Sequence, residues 1–154
     1  MDKFLENLQE AGKIISTTDH MLYVTFPLIK DKKLLLKILR DTKIAISKCI
    51  SSILQYEYLY KRIKLYNDPK TNLKTFEEKC AKRYAITEQE IKLITELFDV
   101  VEEHKKSSME FMKNSKIIIL SGSLEQKIVT IEKAKEFLIL AKNLLKKIEK
   151  TIQR

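Results

Sequence analysis

Glycine and proline are nearly absent from this chain: two of each stand among 154 residues, and there is no tryptophan. So little turn-forming material argues against a β-rich fold with many tight reversals, a glycine-lined phosphate loop or a flexible linker between two domains. Cysteine is as scarce, and Cys49 and Cys80 form no C-x-x-C pair, which removes a zinc or dithiol motif. Both fall at core-facing helical positions and are expected to be buried reduced thiols. The two histidines, His20 and His104, belong to no Glu-x-x-His repeat, so a di-iron bundle is excluded and no metal or other cofactor is expected. Long apolar runs are missing as well. Asp2, Lys3, Glu6 and Glu10 interrupt the start, so no signal peptide is expected. The longest charge-poor stretch, residues 14–29, contains Asp19, His20 and three threonines. It falls short of the about 20 apolar residues that a bilayer demands. A cytoplasmic location without membrane contact is the expectation.

Against these absences stands an apolar fraction of 44%, arranged with a step of three or four. Phe4, Leu8, Ala11, Ile15, Thr18 and Leu22 open the pattern. Ile131, Ala134, Leu138, Ala141, Leu145, Ile148 and Ile152 close it. This spacing places one side chain per turn on a common face, the mark of long amphipathic helices. The first helix is expected over residues 2–26, capped by Asp2 and stopped or kinked at Pro27. Asp31 caps a second that keeps its period to Ile63. Unbroken to residue 64, it would be about 50 Å long, so a bend or a projecting end is expected. Asn67, Asp68 and Pro69 form the clearest break. A short helix over residues 73–84 follows. Thr87 and Glu90 then match a capping box that opens a helix to about residue 112.

The period next changes. Residues 116–120 and 127–131 are β-branched runs around Ser121, Gly122 and Ser123, which predicts a hairpin packed on the helices. Thr130 caps a final helix to about residue 152. The expected fold class is therefore mainly all-α: a single domain over residues 1–154, built as an up-and-down bundle of four long helices with one short extra helix and a small β-hairpin near residues 116–131.

The net charge of +9 is segregated. Residues 30–84 carry fifteen basic and six acidic side chains, whereas residues 85–112 carry three basic and seven acidic. One basic and one acidic side are implied, and such a field steers association with a polyanion or a complementary protein.

Three groups of residues are candidates for function. Asp19 and His20, with Ser16, Thr17 and Thr18 before them, combine a carboxylate, an imidazole and hydroxyls, the chemistry of proton transfer. Adjacent helical residues point about 100° apart, however. The alternative is a buried polar strip of Lys13, Ser16, His20 and Tyr23 bonded to neighbouring helices. His104 continues the apolar phase of Ile94, Phe98 and Val101 and would meet His20 across the bundle, or stand as a boundary histidine. Asp19, His20 and His104 are thus the catalytic candidates, and no catalytic site is assigned. The third group is residues 56–66, which hold four of the six tyrosines interleaved with Lys61, Arg62 and Lys64. Rings stack on unpaired bases while cations neutralise phosphates, so Tyr58, Tyr60, Lys61, Arg62, Lys64 and Tyr66, extended by Lys82 and Arg83, suit a nucleic-acid-binding face. The alternative keeps Tyr56, Leu59 and Ile63 in the core with the cations merely solvated.

The stretch Asp19, His20, Met21, Leu22, Tyr23, Val24, Thr25, Phe26, Pro27, Leu28, followed by Lys33 to Leu39, resembles a family of small archaeal all-helical proteins. That resemblance implies an archaeal cytoplasm and no particular activity. In general shape the chain also resembles HEPN-like bundles, but no arginine stands four to six residues before His20 or His104, so their ribonuclease signature is missing. The function expected is non-enzymatic binding of RNA or a ribonucleoprotein. The alternatives are a protein-interaction or self-associating bundle forming a homo-oligomer, and a HEPN-like nuclease or its inactive relative.

Overall fold

The computed structural model describes residues 2–106, 109–113, 116–120 and 126–152. They are mainly helical, with one small antiparallel sheet.

Helix α1 (Lys3–His20) begins after Asp2, whose extended backbone marks the cap position although its carboxylate makes no capping bond. The chain stays helical past Pro27, where a stop or a kink was expected. Proline lacks an amide hydrogen and its ring presses on the carbonyl one turn back. The helix accommodates this by widening to a π-turn over Met21–Thr25, in which the Phe26 amide donates to the Met21 carbonyl, and then tightens again as α2 (Phe26–Ile29).

Asp31 caps α3 (Lys32–Leu59) by accepting from the Lys33 amide at 3.0 Å. This helix ends at Leu59, short of residue 64. It closes at Lys61, whose φ of 59° is left-handed, with the Lys61 amide donating to Tyr58 O and the Arg62 amide to Glu57 O, each at 2.9 Å. The pattern is a Schellman closure made without glycine. Lys30 and Ala85 occupy the same left-handed region at two other helix ends.

Asp68 caps α4 (Pro69–Thr75), with Pro69 in its first turn. The helical path continues as a π-turn, Phe76–Cys80, and a 3-10 turn, Ala81–Tyr84, so it opens four residues earlier than the period indicated. The capping box forms as expected at the start of α5 (Glu88–Lys106). The Glu90 amide donates to Thr87 Oγ1 at 3.1 Å and the Thr87 amide to Glu90 Oε1 at 3.0 Å.

The sequence reading carried α5 to residue 112, but the helix stops at Lys106, and Met109–Lys113 form strand β1. The expected hairpin is therefore part of a three-stranded meander of β1, β2 (Lys116–Leu120) and β3 (Gln126–Thr130). Phe111 pairs with Ile118, and Ile117 with Val129. The central strand β2 has both hydrogen-bonding edges paired, one by β1 and one by β3, where a hairpin would leave one open. Ile117, Ile119 and Val129 are buried on one face. The expected turn at Ser121, Gly122 and Ser123 lies outside the described residues. Thr130 Oγ1 accepts from the Lys133 amide at 3.0 Å and caps α6 (Ile131–Ile152).

Helix α3 packs against α1, α5 and α6, and α1 and α5 each also touch α6. Leu35, Ile38, Leu39, Ala45, Ile46, Cys49 and Ile53 of α3 are buried among Ala11 and Leu22, Ile94 and Leu97, and Phe137, Leu138 and Leu144. Each buried Leu, Ile or Phe contributes about 1.5–3 kcal/mol. Both cysteines are buried and unpaired. Burial, with Glu149 nearby, pushes the Cys49 thiol up to about 12, and burial with Glu57 pushes Cys80 up to about 11. Neither is a thiolate at neutral pH. Among the described residues no helix is long and apolar enough to cross a membrane.

Lys147 ties α6 to the start of α5, donating to Glu90 and, at 2.7 Å, to the Ala85 carbonyl. Burial pushes the Glu90 carboxyl up, but the bonds from Lys147 and Thr87 outweigh it and hold the group below the ordinary 4.5. A depressed carboxyl stabilises the fold above its unfolded pKa, and the contribution fades as pH falls through the lower folded value. Glu90→Gln is expected to cost about 1 kcal/mol at neutral pH. The difference from wild type should narrow as urea unfolding is repeated toward about pH 3. A gap unchanged between the two conditions would contradict this.

Candidate nucleic-acid interface

The end of α3 lies where three local fixings meet. Tyr56 stacks on Phe4 of α1 with ring centroids 5.1 Å apart, and Tyr60 meets Tyr56 edge-on at 4.8 Å. The left-handed Lys61 then reverses the chain. Asn72 of α4 clamps the far end of the segment, accepting from the Tyr66 amide at 2.9 Å and donating to the Tyr66 carbonyl at 2.7 Å. Ile63 is buried between them.

Glu57 sits at the centre of this arrangement, 2% exposed. Its Oε2 accepts from Arg62 Nη1 at 2.9 Å and from the Tyr84 hydroxyl at 3.2 Å, with Arg83 Nε at 3.5 Å. A carboxylate this deep needs such partners, because an uncompensated buried charge is strongly destabilising. Burial first, and the adjacent Glu57 carboxylate second, push the Tyr84 phenol well above its ordinary range, so it stays a donor. One buried acid thereby draws together two arginines from separate segments and fixes their orientation. Their side chains remain 38% and 44% exposed.

Around this knot Tyr58, Tyr60 and Tyr66 are 55%, 55% and 48% exposed. Arg62 lies over the Tyr60 ring, 5.1 Å from its centroid, so one tyrosine is already partnered by a cation. Lys61, Lys64 and Lys82 are exposed. The residues singled out in sequence for nucleic acid thus fall into two kinds: Arg62 and Arg83 are held by Glu57, while Lys61, Lys64, Lys82, Tyr58 and Tyr66 face solvent from fixed backbone. Of the three residues that the alternative reading placed in the core, Ile63 is buried, Tyr56 is half-buried against Phe4 and Tyr60, and Leu59 is exposed.

The Asp19 and His20 group is arranged differently. Asp19 pairs with Lys142 of α6, and the Tyr23 ring lies between Lys135 Nζ at 5.4 Å and Lys142 Nζ at 5.7 Å. His20 is exposed, as are Lys13, Ser16 and Tyr23, so the expected buried polar strip is a solvent-facing one. The cause is the path of the neighbours, which cover the Leu8, Ala11 and Ile15 face of α1. Thr18 is the buried polar group there, and its hydroxyl donates to the Ile14 carbonyl at 2.7 Å. His104 is half-buried and lines a small pocket with Leu36, Leu39, Arg40, Val100 and Val101. No residue of α1 contributes to that pocket lining. Among the described residues no three His, Cys, Asp or Glu side chains gather as a metal requires.

Glu57 is the residue of this candidate site that sequence reasoning missed. The signal was present: it is the only acidic residue between Asp41 and Asp68, and it falls in helical phase with Ile46, Ile50 and Ile53. Its removal leaves the buried Tyr84 hydroxyl without its acceptor and the two guanidiniums without a counter-charge. Because those guanidiniums are partly hydrated, Glu57→Ala is expected to cost about 2 kcal/mol in urea unfolding, and Tyr84→Phe about 1 kcal/mol. A Glu57→Ala protein within about 0.5 kcal/mol of wild type would show that the knot holds nothing together. Compared with known proteins, the chain matches no family model and no curated sequence.

Proposed function

We propose that this chain is a non-enzymatic RNA-binding protein that engages single-stranded RNA, free or within a ribonucleoprotein, through residues 56–66 and 79–83. The reading takes α1, α3, α5 and α6 as the four long members of an up-and-down bundle, with the end of α3 as its working surface. The observation that carries it is the Glu57 knot, which holds Arg62 and Arg83 on one carboxylate, with Arg62 over the half-exposed Tyr60 ring. RNA recognition in unpaired regions needs rings for bases and cations for phosphates on one pre-ordered surface. Lys61, Lys64 and Lys82 would neutralise phosphates. Tyr58 and Tyr66 would stack on bases. Arg62 and Arg83, fixed by Glu57, would present the outer edges of their guanidiniums, and ordering them beforehand lowers the entropy lost on binding.

Self-association through the acidic α5 is the less favoured reading, because Glu90 and Glu96 are engaged within the chain by Lys147 and Lys133. Fewer carboxylates then remain for a second copy.

Filter binding of a single-stranded RNA across a salt series tests the proposal. Each phosphate contact on a single strand contributes about 0.7 to the slope of log affinity against log salt. A triple Lys61→Ala, Lys64→Ala, Lys82→Ala variant should therefore lose about 2 from that slope. Tyr58→Ala and Tyr66→Ala should each weaken binding by about tenfold with the slope unchanged. Wild-type binding that is absent or indifferent to salt would overturn the reading.

A further inference from the structure

A second basic feature lies away from the tyrosine face, in the trough between α3 and α5. Arg40, Lys43 and Lys48 of α3 and Lys105 of α5 surround a space of about 340 Å³, together with Ser47 and Ser51. Among the described residues no carboxylate lines it. Lys48 is tied to Glu10 of α1, and Lys43 lies over the Phe98 ring, 5.4 Å from its centroid. Arg40 and Lys105 make no ion pair among the described residues, and both are exposed. Arg40 and Lys43, three residues apart on one helical face, repel each other unless an anion sits between them.

Lys43, Ser47 and Ser51 also line a second space of about 670 Å³, so the two adjoin along this row of α3. The character of the wall changes there. Ile50, Leu54, Leu73 and Phe98 make it apolar, and Asp99 and Glu102 of α5 place carboxylates on its rim. The trough is therefore bipolar, with cations at one end, an apolar floor and ring in the middle, and acceptors at the other.

We propose that this trough binds a small phosphorylated ligand of the nucleotide class. Its phosphates would lie among Arg40, Lys43 and Lys105, its ring system over Leu54, Leu73 and Phe98, and an amino group on the base would donate to Asp99. A simple anion would leave the apolar part empty, and a fatty acid would offer no donor to Asp99. A nucleotide carries all three matching parts. The site uses side chains for the phosphates, in place of the glycine-lined backbone loop that this chain lacks. It goes beyond the RNA reading and uses none of residues 56–66.

Isothermal titration of the full chain with ATP at low salt tests the proposal, with sodium pyrophosphate and adenosine as partial probes. One ATP per chain is expected at concentrations up to about 1 mM. An Arg40→Ala, Lys105→Ala variant should bind at least about tenfold more weakly while melting at the wild-type temperature. Asp99→Asn should weaken ATP without weakening pyrophosphate. Lys61→Ala with Lys64→Ala should leave ATP binding unchanged, which separates this site from the RNA face. Absence of ATP binding, equal binding by the Arg40, Lys105 variant, loss of ATP with the Lys61, Lys64 variant, or adenosine binding as well as ATP would each overturn the proposal.

Discussion

Helix α3 must be covered along most of its circumference, and the rest of the molecule is arranged to do so. Its buried residues include Leu35, Ile38, Ala45, Ile46, Cys49 and Ile53, spread too widely around the axis for a single partner to cover. A helix apolar on several sides is stable only when surrounded. Helices α1, α5 and α6 supply the cover, and the π-turn at Phe76–Cys80 closes over its later turns. What remains exposed is a side through Lys33, Lys37, Arg40 and Ile44, with Lys43 and Ser47 half-buried beside it, and the tyrosine-bearing end. Both surfaces assigned to binding are thus the parts of α3 left outside the core, set on a backbone the core holds rigid.

The buried Glu57 shows how such a helix ends without fraying. Desolvating a carboxylate costs several kcal/mol, and the cost is offset only when donors converge on it. Arg62, Arg83 and Tyr84 do so from three directions along the returning chain. The same contacts that stabilise the reversal leave two guanidiniums oriented beside Tyr60. Stability and surface chemistry have one source here, so a change at Glu57 is felt in both.

Much of the helical layout was legible because its punctuation is local. Asp31, the Thr87 and Glu90 pair and Thr130 each cap a helix by bonding backbone within three residues, and sequence displays that chemistry directly, whereas Asp68 stood out only as part of a break and Asp2 makes no capping bond. The end of α3 was not legible, since a lysine occupies the left-handed position where glycine is usual. Neither was the passage through Pro27, because a π-turn absorbs what proline normally breaks. Strand β1 was read as helix because Ser108 and Phe111 stand three apart, the helical step, whereas its pairing with β2 is decided by contacts outside the segment. The exposure of Lys13, Ser16, His20 and Tyr23 also depended on neighbours, as periodicity gives a face but not which side is covered. At the binding face the tyrosines and cations stood out by composition. Glu57, which organises them, was concealed by being a single residue in an apolar phase.

Native-state hydrogen exchange along α3 tests most directly whether this helix is the part on which the fold depends. Amides in the buried centre, from Ile38 to Ile53, should exchange only through global unfolding, at the free energy that urea unfolding reports. Residues 61–68 and the three strands should exchange through local openings at lower free energy. Exchange at the centre of α3 through openings smaller than global unfolding, while α1 or α6 stays protected, would contradict the account.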